Sequence, residues 1–226
     1  MKHRGRSLKK KLFDILNQGD LDKALMEIDR LPPRQIINPL LSFIQSGNEK
    51  VKWGAVKAAG NVVGRLADSD LEGARVILRR LMWSLNDESG GIGWGSPEVM
   101  GEILAAHSGL AREYAHILLS YAREDGNYLE LEGLQQGLLW GIGRLCESRP
   151  ELARGAGRSL SPYLESHNVV IRGLAARIMG LLQVKEALSG LRKLTEDDSS
   201  LVIMVGSRLT SVRVKDLANE ALKAIG

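Results

Sequence analysis

The sequence predicts an all-α protein, an α-α superhelix built from about five stacked helix pairs. Three observations carry this. First, a phrase recurs: Val51-Lys52-x-x-Ala55-x-x-Ala58-Ala59-Gly60, Leu134-Gln135-x-x-Leu138-x-x-Gly141-Ile142-Gly143, Ile171-Arg172-x-x-Ala175-x-x-Ile178-Met179-Gly180 and Val214-Lys215-x-x-Ala218-x-x-Ala221-Leu222. Second, the copies start at 51, 134, 171 and 214, so the gaps are 83, 37 and 43 residues. The first gap is two periods of the other two, and a degenerate copy is expected near 92–94, where Ser96-Pro97-Glu98 opens a helix. Repetition at about 40 residues is the signature of stacked helix pairs. Third, no segment reads as alternating strands joined by hairpin turns.

Within the phrase, positions 1, 5, 8, 9 and 12 share one helical face. Small residues at positions 5 and 8, such as Ala55, Ala58, Ala175, Ala218 and Ala221, let neighbouring helices approach closely. A polar segment precedes each of three copies: Ser46-Gly47-Asn48, Ser166-His167-Asn168 and Thr210-Ser211. These read as turns with helix-start character. Another apolar helix precedes each turn, as in the run Ile36–Ile44, so the unit is helix, turn, helix. The apolar run Leu201-Val202-Ile203-Met204-Val205 falls where a first helix is due and is expected to be a short buried helix. Residues 1–11 are expected to be a basic arm, 12–47 a helical cap, and 48–226 the repeats, interrupted by an irregular loop at 83–102.

The phrase resembles the HEAT-repeat family, in particular the bacterial PBS-lyase HEAT-like type, over residues 48–226. That resemblance implies that the phrase-bearing helices line the concave side of the stack and their partners the convex side.

Composition narrows the classes further. Only 4% of residues are aromatic, so Ala, Leu and Gly must fill the helix interfaces. The single Cys146 excludes an intrachain disulfide and a multi-cysteine metal site. It falls on the apolar side of its helix and reads as a buried small hydrophobe. The basic start runs into Leu12-Phe13-Asp14 without the apolar region of a secretory signal, and no apolar run reaches the ~20 residues that span a bilayer. A cytoplasmic location without membrane contact is expected. The net charge is +4, but Lys2, Arg4, Arg6, Lys9, Lys10 and Lys11 precede the first acid, Asp14; setting these six aside leaves the rest at −2. The basicity therefore belongs to the N-terminus, as a solvated end or as a contact for phosphates or an acidic partner.

The segment 83–102 departs from the scaffold pattern. It holds Trp83, Asp87, Glu88, Trp94, Glu98 and a run of glycines, where an ordinary turn needs only a few residues. Glycines permit backbone shapes and approaches closed to other residues. Tryptophan beside glycine must pack on the fold or on a partner. Ser96 is suited to N-cap the next helix, with Pro97 at N1 and Glu98 complementing its dipole. The local acidity suits a cation, a basic side chain or a partner's amine; a hard metal on Asp87, Glu88 and Glu98 is a weaker option, because the spacing matches no calcium loop. The other reading is a long turn whose indoles plug gaps between irregular repeats.

Helical phase supplies a second set. Positions 3, 7 and 11 of the phrase point away from the core stripe: Trp53, Lys57 and Asn61 in the first copy, Gln136, Trp140 and Arg144 in the second, Arg177 in the third. Aromatic side chains near Arg and Lys are common at binding hot spots; the alternative is that the indoles pack across a tight groove. Lys52, Arg172 and Lys215, at position 2, read as structural.

Enzyme signatures are sparse. None of His3, His107, His116 and His167 is followed by Glu, so the chain departs from the His-Glu iron ligands of HEAT-type deoxyhypusine hydroxylases. There is no nucleophile elbow, phosphate loop or zinc spacing. Trp83-x-x-x-Asp87, Trp53, Trp140 and Arg144 are similar in residue type to HEAT-like alkylpurine DNA glycosylases, whose groove is basic; this repeat body is near neutral. The sequence therefore points to a non-enzymatic scaffold without cofactor or metal. It would bind another protein through Trp53, Lys57, Trp83, Asp87, Glu88, Trp94, Glu98, Trp140, Arg144 and Arg177. A DNA-binding or glycosylase-like protein ranks second, and a metal- or small-molecule-dependent enzyme third.

Overall fold

The computed structural model describes residues 2–86 and 93–226, the side chains of residues 2–4 excepted. The chain divides into two compact units, Met1–Leu110 and Ala111–Gly226. Unit 1 holds α1 (Lys2–Asn17), α2 (Leu21–Asp29), α3 (Pro33–Leu41), α4 (Glu49–Ser69), α5 (Leu71–Leu85) and α6 (Ser96–Ala106). The helix α7 (Ser108–Ser120) carries the chain into unit 2, which continues with α8 (Glu132–Ser148), α9 (Gly157–Leu160), α10 (Val169–Leu181), α11 (Leu188–Leu194), strands β1 (Ser200–Val205) and β2 (Arg208–Arg213), and α12 (Val214–Ile225).

The phrase helices are α4, α8, α10 and α12, and two of the expected turns close the same way. Asn48 Oδ1 accepts from the amides of Lys50 and Val51 at 3.0 and 3.3 Å, and Asn168 Oδ1 accepts from Val170 and Ile171 at 3.0 and 3.3 Å. Ser46 and Ser166 in turn accept from the amides of these asparagines. Each Ser-x-Asn thus satisfies amides that the new helix leaves open.

In unit 1, α4 lies against α1, α2, α3, α5 and α6. That enclosure explains why Val51, Ala55, Ala58, Ala59, Val62, Val63 and Leu66 are buried together with residues of the opposite face. The slot of the degenerate copy is filled by α6. At Gly60 a Cβ would lie 2.4 Å from Glu102 Cβ, and at Gly64 3.0 Å from Ala106 Cβ, so the two helices meet where α4 has no side chain. The same device recurs in unit 2, where a Cβ at Gly180 would lie 2.7 Å from Ala221 Cα.

The start of the chain differs from the expected arm. The basic stretch is helical from Lys2 and continuous with the cap, because Leu12, Ile15 and Leu16 of the same helix are buried.

The larger correction lies at 200–213. The run Leu201–Val205 is a strand, and Thr210-Ser211 lies inside its antiparallel partner, paired from Ser200↔Arg213 to Val205↔Arg208. β-Branched residues and a two-residue Gly206-Ser207 connection favour this, with Gly206 at φ +59° as the Gly-first hairpin turn requires. Leu201 and Ile203 are buried, and Leu201 fills the space that Gly173 leaves on α10. The hairpin is therefore a cover on the repeat helices rather than a member of the stack.

Candidate functional site

In unit 1 the site residues are set by α4 and α6. Lys57 reaches across to Glu102, Nζ to Oε1 2.9 Å, and both side chains are nearly buried, 13% and 5% exposed. Removing either partner would strand a charge in a dry interface, the expensive failure of such pairs. One turn earlier on α4, the Trp53 indole donates to Glu49 Oε2 at 3.0 Å, and Lys52 Nζ lies 5.3 Å from the Trp53 ring centre. Glu98 follows on α6. It is 6% exposed, and its Oε2 is buried without a hydrogen-bond partner. Burial pushes its carboxyl above the usual glutamate range; its own backbone amide and Lys52 offset part of this, and Glu49 adds to it.

The entrance to α6 explains two of the glycines. Gly95 has φ +82°, and a Cβ there would sit 2.6 Å from Ile44 O; at Gly93 it would sit 2.8 Å from Ser84 O. Ser96, expected as the N-cap, is buried and meets Ser84 Oγ at 2.9 Å, while Ser84 Oγ donates to Leu81 O. Its hydroxyl is thus committed to α5, and the cap position falls to Gly95 without a side-chain bond. On either side of residues 87–92 the indoles are open: Trp83 is 77% exposed and Trp94 39%. Asp87 and Glu88 lie outside the described residues.

In unit 2, Arg144 and Arg177 both pair with Glu147, on its two carboxylate oxygens. Trp140 lines a narrow crevice with them, together with Leu139, Gly143, Leu174 and Ile178. Its indole donates to Met204 O of β1 at 3.0 Å.

Two sequence expectations are overturned. Trp53 and Trp140 are buried, 8% and 4% exposed, and are not open groove aromatics. For Trp140 the reason is the hairpin, which lies over positions that helical phase leaves outside. For Trp53 it is the enclosure of α4. Lys57, Arg144 and Arg177 are where the pattern placed them, but each is neutralised by a carboxylate whose role spacing did not reveal: Glu102 for the first, Glu147 for the other two. For Arg144 the signal was Glu147 three residues on along the same helix; for Lys57 and Arg177 the acid comes from a facing helix, which spacing alone does not give.

The position-2 residues behave as structure. Arg172 donates to His167 O at 2.9 Å and pairs with Asp197 at 2.6 Å, and Lys215 pairs with Asp198. In the second copy that position is Gln135, buried, donating to Tyr128 OH at 2.9 Å and Leu129 O at 2.8 Å. It lines an open cleft of about 530 Å³ with Tyr163, Arg123 and Asp125. The remaining polar candidates are quiet. His107 Nδ1 accepts from the amide of Leu110 at 3.1 Å, and burial, with Glu147 nearby, pushes the Cys146 thiol up to about 12. Among the described residues no three His, Cys, Asp or Glu side chains converge as a metal site, and no helix is long and apolar enough to cross a membrane.

The fold defines a class before any sequence relative does: an all-α helical-repeat protein. Solved structures agree. A computationally designed armadillo repeat protein for modular peptide recognition is similar over 96% of this chain and 99% of its own, at TM-score 0.50 and 18% identity. A designed armadillo repeat protein in complex with the peptide (KR)4 is similar over 96% and 98%, at TM-score 0.52 and 17% identity. An engineered protein from a structural genomics programme is similar over 97% and 96%, at TM-score 0.54 and 15% identity. At such identities the likeness is one of fold. No family model matches the sequence, and no curated protein does.

Proposed function

We propose that the chain is a non-enzymatic repeat scaffold that binds an extended segment of another protein at the α4–α6 face of unit 1. The observations that carry this are Trp94, open just before α6, and Glu98 in the first turn of that helix, whose Oε2 is buried without a hydrogen-bond partner, with Trp83 open at the end of α5. Exposed aromatic residues on an element that also carries a buried polar group are the composition of a binding hot spot. Glu49 and Glu98 give that centre an acidic character that suits a Lys or Arg of the partner, in company with Trp53. The similarity to repeat proteins designed for peptide recognition, one of them solved with a (KR)4 peptide, supports the same reading. Trp140, Arg144 and Arg177 would then serve unit 2 as structure. The cytoplasm is the compartment that accompanies this proposal.

The groove reading for DNA is weaker, since Lys57, Arg144 and Arg177 are each spent on a carboxylate. The test is a titration of a (KR)4 peptide followed by tryptophan emission. Wild type should saturate. Trp94→Ala and Glu98→Gln should each weaken binding about thirtyfold, the effect of a lost hot spot of ~2 kcal/mol. Equal responses from wild type and both variants would refute the site.

A further inference from the structure

The outer face of α1 is basic. Arg6, Lys9, Lys10 and Lys11 are all exposed, and none of them forms an ion pair among the described residues. Elsewhere in unit 1 Lys23 pairs with Asp20, Arg34 with Asp70, Lys57 with Glu102, Arg65 with Asp29, and Arg75 and Arg79 with Glu72, while Arg30, Lys50, Lys52 and Arg80 are single cations outside any ion pair among the described residues; α1 differs in grouping four on one helix. Four neighbouring cations without an ion pair repel one another, with Asp14, one turn on along α1, the nearest acid in sequence; an anion on this face would relieve that repulsion.

The helix is also fixed. Leu12, Ile15 and Leu16 seat its inner side, with α2, α3 and α4 beneath it, and Lys9 Nζ lies 5.2 Å from the Phe43 ring centre. Lys9, Lys10 and Lys11 therefore stand beside the seated part of the helix, with Arg6 one turn further out.

We infer that this face binds the phosphate backbone of duplex nucleic acid, without reading sequence. Three features select that partner. At about 100° per residue, Lys9 and Lys11 project to opposite flanks of Lys10, while Arg6 continues the Lys10 row one turn, about 6 Å, away. A flat lipid surface would meet the Arg6–Lys10 row and leave one flank unanswered; phosphates on the two sides of a duplex groove meet both. The apolar stripe of α1 is buried in the protein, so the helix has no face to insert among acyl chains. Finally, the chain without its six leading cations carries −2, so the excess of positive charge is concentrated at α1. This surface is separate from the α4–α6 face and does not depend on the function proposed for it.

The experiment uses the full chain and a fluorescent 20-base-pair DNA of arbitrary sequence, with anisotropy measured from about 50 to 200 mM salt. Four phosphate contacts predict a slope of log K against log salt near −3.6, or about a hundredfold loss over that range. Changing Lys9, Lys10 and Lys11 to Gln should flatten the slope by about 2.7 and leave the helical circular dichroism unchanged, because all three side chains are exposed. A control with Lys185→Gln, Lys193→Gln and Arg208→Gln removes equal charge elsewhere and should bind like wild type. The inference is overturned by the absence of binding at 50 mM salt, or by a control variant that loses as much as the α1 variant. Tighter binding to phosphatidylserine vesicles or to polyglutamate than to DNA, on the same residues, would assign the face to a membrane or an acidic protein instead.

Discussion

Three phrase helices end their repeat motif on glycine, and the same substitution there should have opposite signs. At Gly143 an added Cβ would find its nearest neighbour at 3.9 Å, the Ile178 Cγ1; at Gly180 it would meet Ala221 Cα at 2.7 Å and Cβ at 2.8 Å. Alanine in a helix interior is favoured over glycine by about 0.5–1 kcal/mol. Gly143→Ala keeps that gain and adds ordinary contact, so it should stabilise by about that amount. Gly180→Ala has the same propensity gain but drives a methyl group into the backbone of α12, which has no flexible end to yield. Overpacking costs about 1–3 kcal/mol, so the net result is a loss of about 1–2 kcal/mol. For a chain of this length 1 kcal/mol moves Tm by about 2–4 °C. Melting followed at 222 nm should show Gly143→Ala a few degrees above wild type and Gly180→Ala a few degrees below. Shifts of the same sign in both variants would refute the view that the α10–α12 spacing is set by a missing side chain.

Other expectations follow from the buried polar groups. Trp140→Ala should cost about 3–5 kcal/mol in urea unfolding, the behaviour of a core indole, because the ring is buried and its N–H is committed to Met204 O. Glu98→Gln should be more stable than wild type at neutral pH. A carboxyl raised in the folded state binds its proton longer than in the unfolded chain, so its stability contribution is full at acid pH and lost as pH rises; the advantage of Gln should vanish on acidification. Asp197 has the opposite sign. Hydrogen bonding from Arg172 holds it down to about 2, so Asp197→Asn should lose about 2 kcal/mol at neutral pH, and the difference should shrink as pH falls through the unfolded carboxylate range toward about 2.

The helical phrase was legible because its cause is local: period 3.6, small residues at contact positions, and Ser-x-Asn turns that bond within four residues. The site was legible only in part because exposure is a property of neighbours. Trp53 and Trp140 stand at outward phases, yet α4 is enclosed by five other helices and α8 lies under the hairpin. The hairpin itself was masked by spacing. The last gap, 43 residues, resembles a period, but α11 spans only seven of them, and fourteen, from Ser200 to Arg213, belong to the hairpin. Thr210-Ser211 is turn-like in composition, and only the pairing with β1 makes it strand. Glu102 is hidden from spacing because Lys57 lies on another helix, 45 residues away in sequence; Glu147 is three residues from Arg144 on α8, and only its second partner, Arg177, lies 30 residues off.

The placement of the four tryptophans gives the molecule a built-in optical code. Each unit holds one buried indole, Trp53 in unit 1 and Trp140 in unit 2, while both open indoles, Trp83 and Trp94, belong to unit 1. Iodide should quench the open pair first and leave a blue-shifted remainder from the buried pair. Replacing Trp83 and Trp94 with Phe would leave one reporter per unit. In that background Trp140 emission would follow the docking of the hairpin and Trp53 emission the closure of α4, so the order in which the two units melt could be read from one fluorescence trace.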